Sequence, residues 1–210
     1  MSTCPLCSSR PAKRYCPAKE ERICAICCGT KREVEIDCPR DCNYLRAGRD
    51  YEAEKRIPDP ELTSKAPLFD DAFVYRFTPL LNILSLAVVQ ERAQSRWLVD
   101  NDVIEVCKAL TATLKTLSSG IYYESLPDGP IRQALYRRLK EVFDQAMQPQ
   151  ESMEESLKLK EAIDVIDFMT LAAQLNSSTR PKSRKYLDWL ETLVPEGSTQ
   201  QSAGSGLILP

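Results

Sequence analysis

Eight of the nine cysteines in this 210-residue chain lie within its first 42 positions, and the chain contains no histidine. A cluster of this kind either forms disulfides, which require an oxidising compartment, or binds a metal. The first thirty residues lack the apolar run of an export signal, so the sequence predicts a cytoplasmic protein whose thiols bind metal. Zinc is the expected metal because structural zinc sites are built from thiolates. Disulfides and an iron–sulfur cluster are the less favoured alternatives.

The spacing of the thiols divides them into two sets of four. CPLC and CAIC are C-x-x-C pairs, which let two thiolates converge on one ion. They predict a first site made of Cys4, Cys7, Cys24 and Cys27. The remaining thiols predict a second site made of Cys16, Cys28, Cys38 and Cys42. Adjacent Cys27 and Cys28 can serve different ions because neighbouring side chains of an extended chain point to opposite faces.

The prediction is therefore two zinc ions held by cysteine sulfur alone. The i, i+4 spacing of Cys38 and Cys42 places both on one face of a helical turn. With all eight thiols used, neither ion keeps the open position that a catalytic zinc requires. Between these thiols, Val34 and Ile36 alternate with acidic residues, which predicts a strand.

CPLC, RYCP, ICAIC and the final CPRDC pair resemble the HIT-type and MYND-like cross-braced fingers, a family of small two-zinc modules. The resemblance covers residues 4–42 and implies a treble-clef or cross-brace fold with two structural zinc ions. The chain has Lys19 where the HIT pattern has a second-knuckle cysteine, and Cys42 where that pattern usually ends in histidine. The stretch CCGTKR…CPRDCNYL is also similar to one that precedes a helical domain in bacterial proteins, a resemblance that implies no activity.

The rest of the chain is typical of a helical bundle, so the expected fold class is mainly α. The predicted organisation is a two-zinc finger at 1–50, a linker or strap at 51–77, a bundle at 78–195 and a tail of flexible composition at 196–210. Apolar periodicity predicts five helices. They are expected at about 78–97, 100–118, 130–147, 153–175 and 181–193. Cys107 falls on an apolar stripe, where a thiol behaves as a small hydrophobic side chain.

Function follows less directly from these patterns. The missing histidine excludes Ser–His–Asp, Cys–His and histidine–zinc catalysis, and neither phosphate-binding glycine motif occurs. We therefore expect an interaction or adaptor protein, not an enzyme, with another protein as its partner. Nucleic acid is the alternative. Its cations would come from Lys13, Arg14, Lys31 and Arg32 of the finger and from the basic run at 180–185.

Charge favours the protein partner over nucleic acid. Residues 1–56 carry twelve Lys and Arg against nine Asp and Glu, a formal charge of +3. Two zinc ions and eight thiolates would bring this part of the chain to about −1, whereas strong phosphate binding needs a clearly basic face. The longest nearly apolar stretch is the ten residues 80–89, which is shorter than a membrane span.

Overall fold

The computed structural model describes residues 2–57, 59–120, 122–148 and 156–194 of the chain. The protein is 64% helical, with a single small two-stranded sheet, so the expected mainly α class is confirmed. The described residues fall into two compact units. The first contains the residues up to Pro60 together with Ser178–Ser183, and the second contains Glu61–Ser177 and the residues from Arg184 onwards.

The first unit is built from a short hairpin and two helices. Its elements are β1 (Arg14–Cys16), β2 (Glu21–Ile23), α1 (Ala25–Lys31) and α2 (Asn43–Lys55). The strands pair antiparallel, with Tyr15 opposite Arg22. Its buried core consists of four cysteines and two isoleucines: Cys4, Cys16, Ile23, Cys24, Cys27 and Ile36. Thiols therefore occupy most of the space that apolar side chains fill in an ordinary domain.

The second unit contains the five helices that the periodicity predicts, preceded by the short helix α3 (Pro60–Lys65) and a 3-10 turn at Ala66–Leu68. They are α4 (Asp71–Gln94), α5 (Asp100–Ser118), α6 (Pro130–Met147), α7 (Leu159–Asn176) and α8 (Lys185–Leu193). α5 packs against α6 and α7, and α4 packs against α6 and α8. Cys107 lies fully buried in this core, as its place on the apolar stripe predicts.

Three predicted helix starts are wrong. α4 begins at Asp71 instead of position 78, because the Asp70 carboxylate accepts the Phe73 N–H at 2.8 Å and caps the helix. Pro79, expected at the first helical position, lies inside α4. α7 begins at Leu159 and α8 at Lys185, each four to six residues later than predicted. Residues 149–155 lie outside the described residues; they include part of the predicted break at 147–152 and the predicted start of the fourth helix at about 153. The predicted tail from 196 also lies outside them.

The start of α8 is held by a buried carboxylate from another helix. Asp100 at the beginning of α5 is 1% exposed. Its two oxygens accept the backbone N–H groups of Tyr186 at 3.2 Å and Leu187 at 3.1 Å. The first N–H groups of a helix have no partner within the helix, and a negative charge is favoured there. Asp100 therefore ties the first turn of α8 to the first turn of α5.

α4 differs from the other described helices in its hydropathy. It is the one helix there that is long and apolar enough to cross a membrane, with a mean hydropathy of 1.6 over its best window, of which 28% is buried. The nearly apolar stretch 80–89 is shorter than this window because Arg76, Thr78 and Pro79 interrupt the apolar sequence before it. The core helix of a soluble protein passes the same test, so a single such helix is weak support for a membrane span. The cytoplasmic location stays a prediction.

Candidate metal centre

The first two thiols lie on a tight loop before the hairpin. The Ser8 N–H donates to the Cys4 carbonyl at 2.7 Å, and the Cys4 N–H donates to the Arg10 carbonyl at 2.7 Å. Ser8 has a φ of 53°, the left-handed conformation that closes the loop. These bonds close the loop and bring the Cys4 and Cys7 side chains to the same side of it.

The other two thiols come from the start of α1, directly after β2. Cys24 is the N-cap residue of α1, and its sulfur accepts the Cys27 N–H at 3.3 Å. The sequence uses sulfur where Ser, Thr, Asn or Asp usually caps a helix. A thiolate also gains from the positive end of the helix dipole. Cys24 is 2% exposed and Cys27 4% exposed, so both sulfurs face the interior of the unit.

The four sulfurs of Cys4, Cys7, Cys24 and Cys27 all lie within 4.8 Å of one another. The Cys7 and Cys24 sulfurs are 3.9 Å apart, well beyond a disulfide bond. Four sulfurs bound tetrahedrally to zinc at about 2.3 Å would be separated by about 3.8 Å. The donor set and its spacing therefore fit a tetrahedral thiolate-bound metal ion, and the first predicted group can hold one.

The surroundings of these sulfurs shift the pKa values of Cys7, Cys24 and Cys27 in different directions. The hydroxyl of Ser9, with the backbone N–H groups of Ser9 and Arg10, lowers the pKa of Cys7 to about 5. The Cys27 N–H lowers the pKa of Cys24. Burial, together with hydrogen bonds from its neighbours, raises the pKa of Cys27 to about 12.

The sulfurs of the second predicted set do not lie as close together; this set is Cys16, Cys28, Cys38 and Cys42. Among the described residues, the first group is the one set of metal-ligating side chains whose ligand atoms all lie within 4.8 Å of one another. The second set is nevertheless close enough to interact electrostatically. Burial raises the pKa of Cys16, and the charges of Cys28 and Cys42 add to this shift. Burial likewise raises the pKa of Cys38 to about 11, with contributions from Cys42 and Cys16.

Turns, and not the predicted strand, lie between α1 and Cys38. Ile36 is buried at 2% exposed, but Val34 is 38% exposed and Glu33 is buried, so the expected alternation of buried apolar and exposed acidic side chains is absent. The backbone instead folds into turns in which the Val34, Glu35 and Ile36 N–H groups all donate to the Lys31 carbonyl. Glu33 has a φ of 52° and its side chain is buried beside Arg49, with a 2.6 Å ion pair.

Most of the cations proposed for nucleic acid contact other groups of the protein. Arg14 lies over the Tyr44 ring at 4.6 Å, Lys31 pairs with Glu35, and Arg32 donates to the Tyr44 carbonyl at 2.8 Å. In the basic run, Arg184 donates to the Leu98 and Arg96 carbonyls. Within the first unit, Arg180 pairs with Glu52 and Lys182 pairs with Asp37, contacts that no pattern in the sequence indicates. The local sequence shows only that residues 177–184 form a polar, proline-containing segment between α7 and α8.

Four aromatic side chains of the second unit are divided between core and surface. Tyr186 is buried at 2% exposed, whereas Trp189 is 39% exposed. Tyr122 and Tyr123 in the loop before α6 are 66% and 64% exposed. The second unit also has a groove of about 510 Å³ between the α3 region and α7, lined by Phe69 and Phe73 together with side chains of both charges.

No protein-family model, no curated protein and no solved structure matches the chain. The metal centre is therefore assigned from the chemistry and spacing of its sulfurs alone. The resemblance to HIT-type and MYND-like fingers stays a prediction.

Proposed function

We propose that this protein is a zinc-binding interaction protein, in which a structural metal centre shapes a surface for another protein and no catalysis takes place. The observation that carries the proposal is the mutual approach of the Cys4, Cys7, Cys24 and Cys27 sulfurs within 4.8 Å. Four protein ligands complete the coordination of zinc and leave no position for a substrate.

The small core of the first unit supports a structural role for the metal. Its fully buried large side chains are Ile23, Ile36 and Leu45. Burying three such side chains is worth about 1.5–3 kcal/mol each, far less than the entropy lost in ordering a segment of this length. Structural zinc contributes about 10–16 kcal/mol in small fingers. We therefore infer that zinc binding supplies much of the free energy that folds this unit.

A second zinc ion is part of the same proposal. Cys16, Cys28, Cys38 and Cys42 would bind it, closing the 31–42 turns against the hairpin as in a cross-braced finger. The charges of Cys28 and Cys42 both raise the pKa of Cys16, which supports this grouping. Binding would draw these four sulfurs into a tetrahedron like that of the first site.

The surface of the first unit supports a protein partner. Tyr15, Ile26 and Tyr51 are each more than half exposed. Aromatic side chains are enriched in protein interfaces, where they supply large contact area. Arg14, Lys31 and Arg32 already contact groups of their own unit, which leaves fewer cations for phosphate.

Metal analysis of the purified, reduced protein tests the metal centre. We expect two zinc ions per chain, one ion after Cys4→Ser and one after Cys28→Ser. Cys107→Ser is the matched control, because it removes a buried thiol outside both sets and should leave two ions. One ion in the unmodified protein, unaffected by Cys28→Ser, would overturn the second site. No zinc, with thiols oxidised in pairs, would overturn the proposed function.

Binding to random-sequence DNA and RNA, followed by fluorescence anisotropy at two salt concentrations, tests the choice of partner. Proteins that neutralise several phosphates lose about 10³–10⁵ in affinity between 50 and 200 mM salt. We expect no binding with this dependence. Binding that falls steeply with salt and is weakened by Lys13→Ala would favour the nucleic-acid alternative.

A further inference from the structure

The segment Ser178–Ser183, with the sequence STRPKS, belongs to the first unit although it is distant in sequence from the rest of it. It lies on a surface formed by the end of α1, the turns at 32–37 and one face of α2. We call this the acceptor surface. It consists of the carbonyl groups of Gly29, Arg32 and Glu33 and the carboxylates of Asp37 and Glu52.

Arg180 makes three contacts with the acceptor surface. Its Nη1 donates to the Gly29 carbonyl at 3.2 Å and the Arg32 carbonyl at 2.7 Å. Its Nη2 pairs with Glu52 at 2.8 Å. The last carbonyls of a helix have no partner within the helix and carry its negative end, so a guanidinium is well matched to them. The planar, forked shape of arginine lets one side chain contact all three acceptors.

Lys182 makes the second set of contacts through both its backbone and its side chain. Its N–H donates to the Glu33 carbonyl at 2.8 Å. Its ammonium group contacts Asp37 at 3.0 Å and the Glu35 carbonyl at 3.3 Å. The Lys182 and Asp37 side chains are each 35% exposed, so this ion pair can exchange directly with solvent. Pro181, which has no N–H, separates the two contacting residues.

The segment is also held in shape by its own hydrogen bonds. The Ser178 N–H donates to the Ser183 hydroxyl at 3.2 Å, and the Arg180 N–H donates to the Ser178 hydroxyl at 3.3 Å. The Ser183 N–H donates to the Arg180 carbonyl at 3.0 Å. These bonds close a compact bend that projects Arg180 and Lys182 from one segment. A short peptide of the same sequence contains every donor of the bend and of the acceptor contacts.

We propose that the acceptor surface is a peptide-binding site for segments of the form Arg-x-Lys, and that residues 178–183 fill it in cis. This inference rests on the proposed function, because it names the class of partner that the interaction protein binds: a protein with an exposed Arg-Pro-Lys bend. A partner segment displaces residues 178–183 and makes the same contacts that Arg180 and Lys182 make with the acceptor surface.

The test uses the full-length protein and a fluorescent peptide with the sequence NSSTRPKSRK, residues 176–185 of the chain. Arg180→Ala combined with Lys182→Ala removes the side-chain contacts of the cis segment with the acceptor surface and leaves only the Lys182 N–H bond to the Glu33 carbonyl. We expect the double variant to bind the peptide about tenfold or more tightly than the unmodified protein, since charge-assisted contacts in cis no longer compete. Adding Asp37→Asn and Glu52→Gln should remove this binding. A scrambled peptide of the same composition controls for net charge.

Hydrogen exchange of the unmodified protein is a second readout that needs no variant. Excess peptide should accelerate exchange in residues 178–184, including the Lys182 N–H, and the scrambled peptide should not. Equal binding of matched and scrambled peptides, or no gain for the double variant and no accelerated exchange, would overturn the peptide site. Zinc content measured on the same samples separates the two claims. Loss of peptide binding with zinc retained defeats the peptide site alone, whereas absence of zinc defeats the proposed function.

Discussion

Removal of the Asp100 carboxylate should destabilise the helical unit more than any exposed charge does. Its two oxygens accept the Tyr186 and Leu187 N–H groups in an environment that is 1% exposed. Hydrogen bonds to charged groups are worth about 1.5–3 kcal/mol each. Asp100→Ala leaves both N–H groups buried without their acceptor and should lower the free energy of unfolding by about 3–5 kcal/mol. Asp100→Asn keeps one acceptor oxygen and should lose about 2 kcal/mol.

Urea denaturation of the zinc-loaded protein, followed by far-UV circular dichroism, measures these differences. Asp128→Asn is the matched control, because Asp128 is exposed and its change should fall within about 0.5 kcal/mol of the unmodified protein. Hydrogen exchange should show the loss of protection at Tyr186 and Leu187 specifically. If both Asp100 variants unfold within 0.5 kcal/mol of Asp128→Asn, Asp100 is not the cap of α8.

Three further changes test other parts of the structure. Removing zinc with a chelator under reducing conditions should expose the eight clustered thiols to a thiol reagent, and a chain that keeps them protected would contradict the metal centre. Cys107 should stay unreactive toward the thiol reagent after chelation until urea unfolds the helices, because it is fully buried and burial raises its pKa to about 12. Modification of Cys107 before unfolding, located by mass spectrometry, would contradict its burial. Gly48→Ala should weaken zinc retention against a chelator, because its new Cβ would lie 1.1 Å from the Arg32 Nη1. Gly29→Ala is the control: its Cβ meets nothing within 4 Å, so the change should be neutral or stabilise the helix by up to about 1 kcal/mol. Equal effects of the two variants on zinc retention would refute the role of the close approach at Gly48.

Periodicity was most informative where a helix packs one apolar stripe against a core. The predicted bounds of α5 and α6 agree with Asp100–Ser118 and Pro130–Met147. The start of α4 was missed because a proline after threonine is typical of a first helical turn. Here the Thr78 hydroxyl instead donates to the Val74 carbonyl at 2.7 Å within a continuing helix. A helix can tolerate proline where the unpaired carbonyl one turn earlier faces water, and Tyr75, four residues before Pro79, is 86% exposed.

The candidate metal centre was only partly readable from the sequence. C-x-x-C spacing was sufficient for Cys4, Cys7, Cys24 and Cys27, because two local turns bring each pair together. Cys24 as the helix cap was not foreseen, since sulfur is not among the usual capping groups. The contacts of Arg180 and Lys182 were invisible for a different reason. Their partners lie 128–151 positions away, and pairings over that distance leave no periodic signal along the chain.

The separation of Arg180 from Gly29 also sets an order of events during synthesis. All four thiols of the first metal site leave the ribosome early, whereas the Arg180 side chain follows its Gly29 acceptor by 151 residues. At about 5–20 residues per second, this interval lasts about 8–30 s. Of the acceptors in the proposed peptide site, Glu52 is the last to be synthesised, and it precedes Arg180 by 128 residues. If the proposal holds, the growing chain would present the acceptor surface before its own segment is made, and it would be the form in which that surface is open to other basic segments.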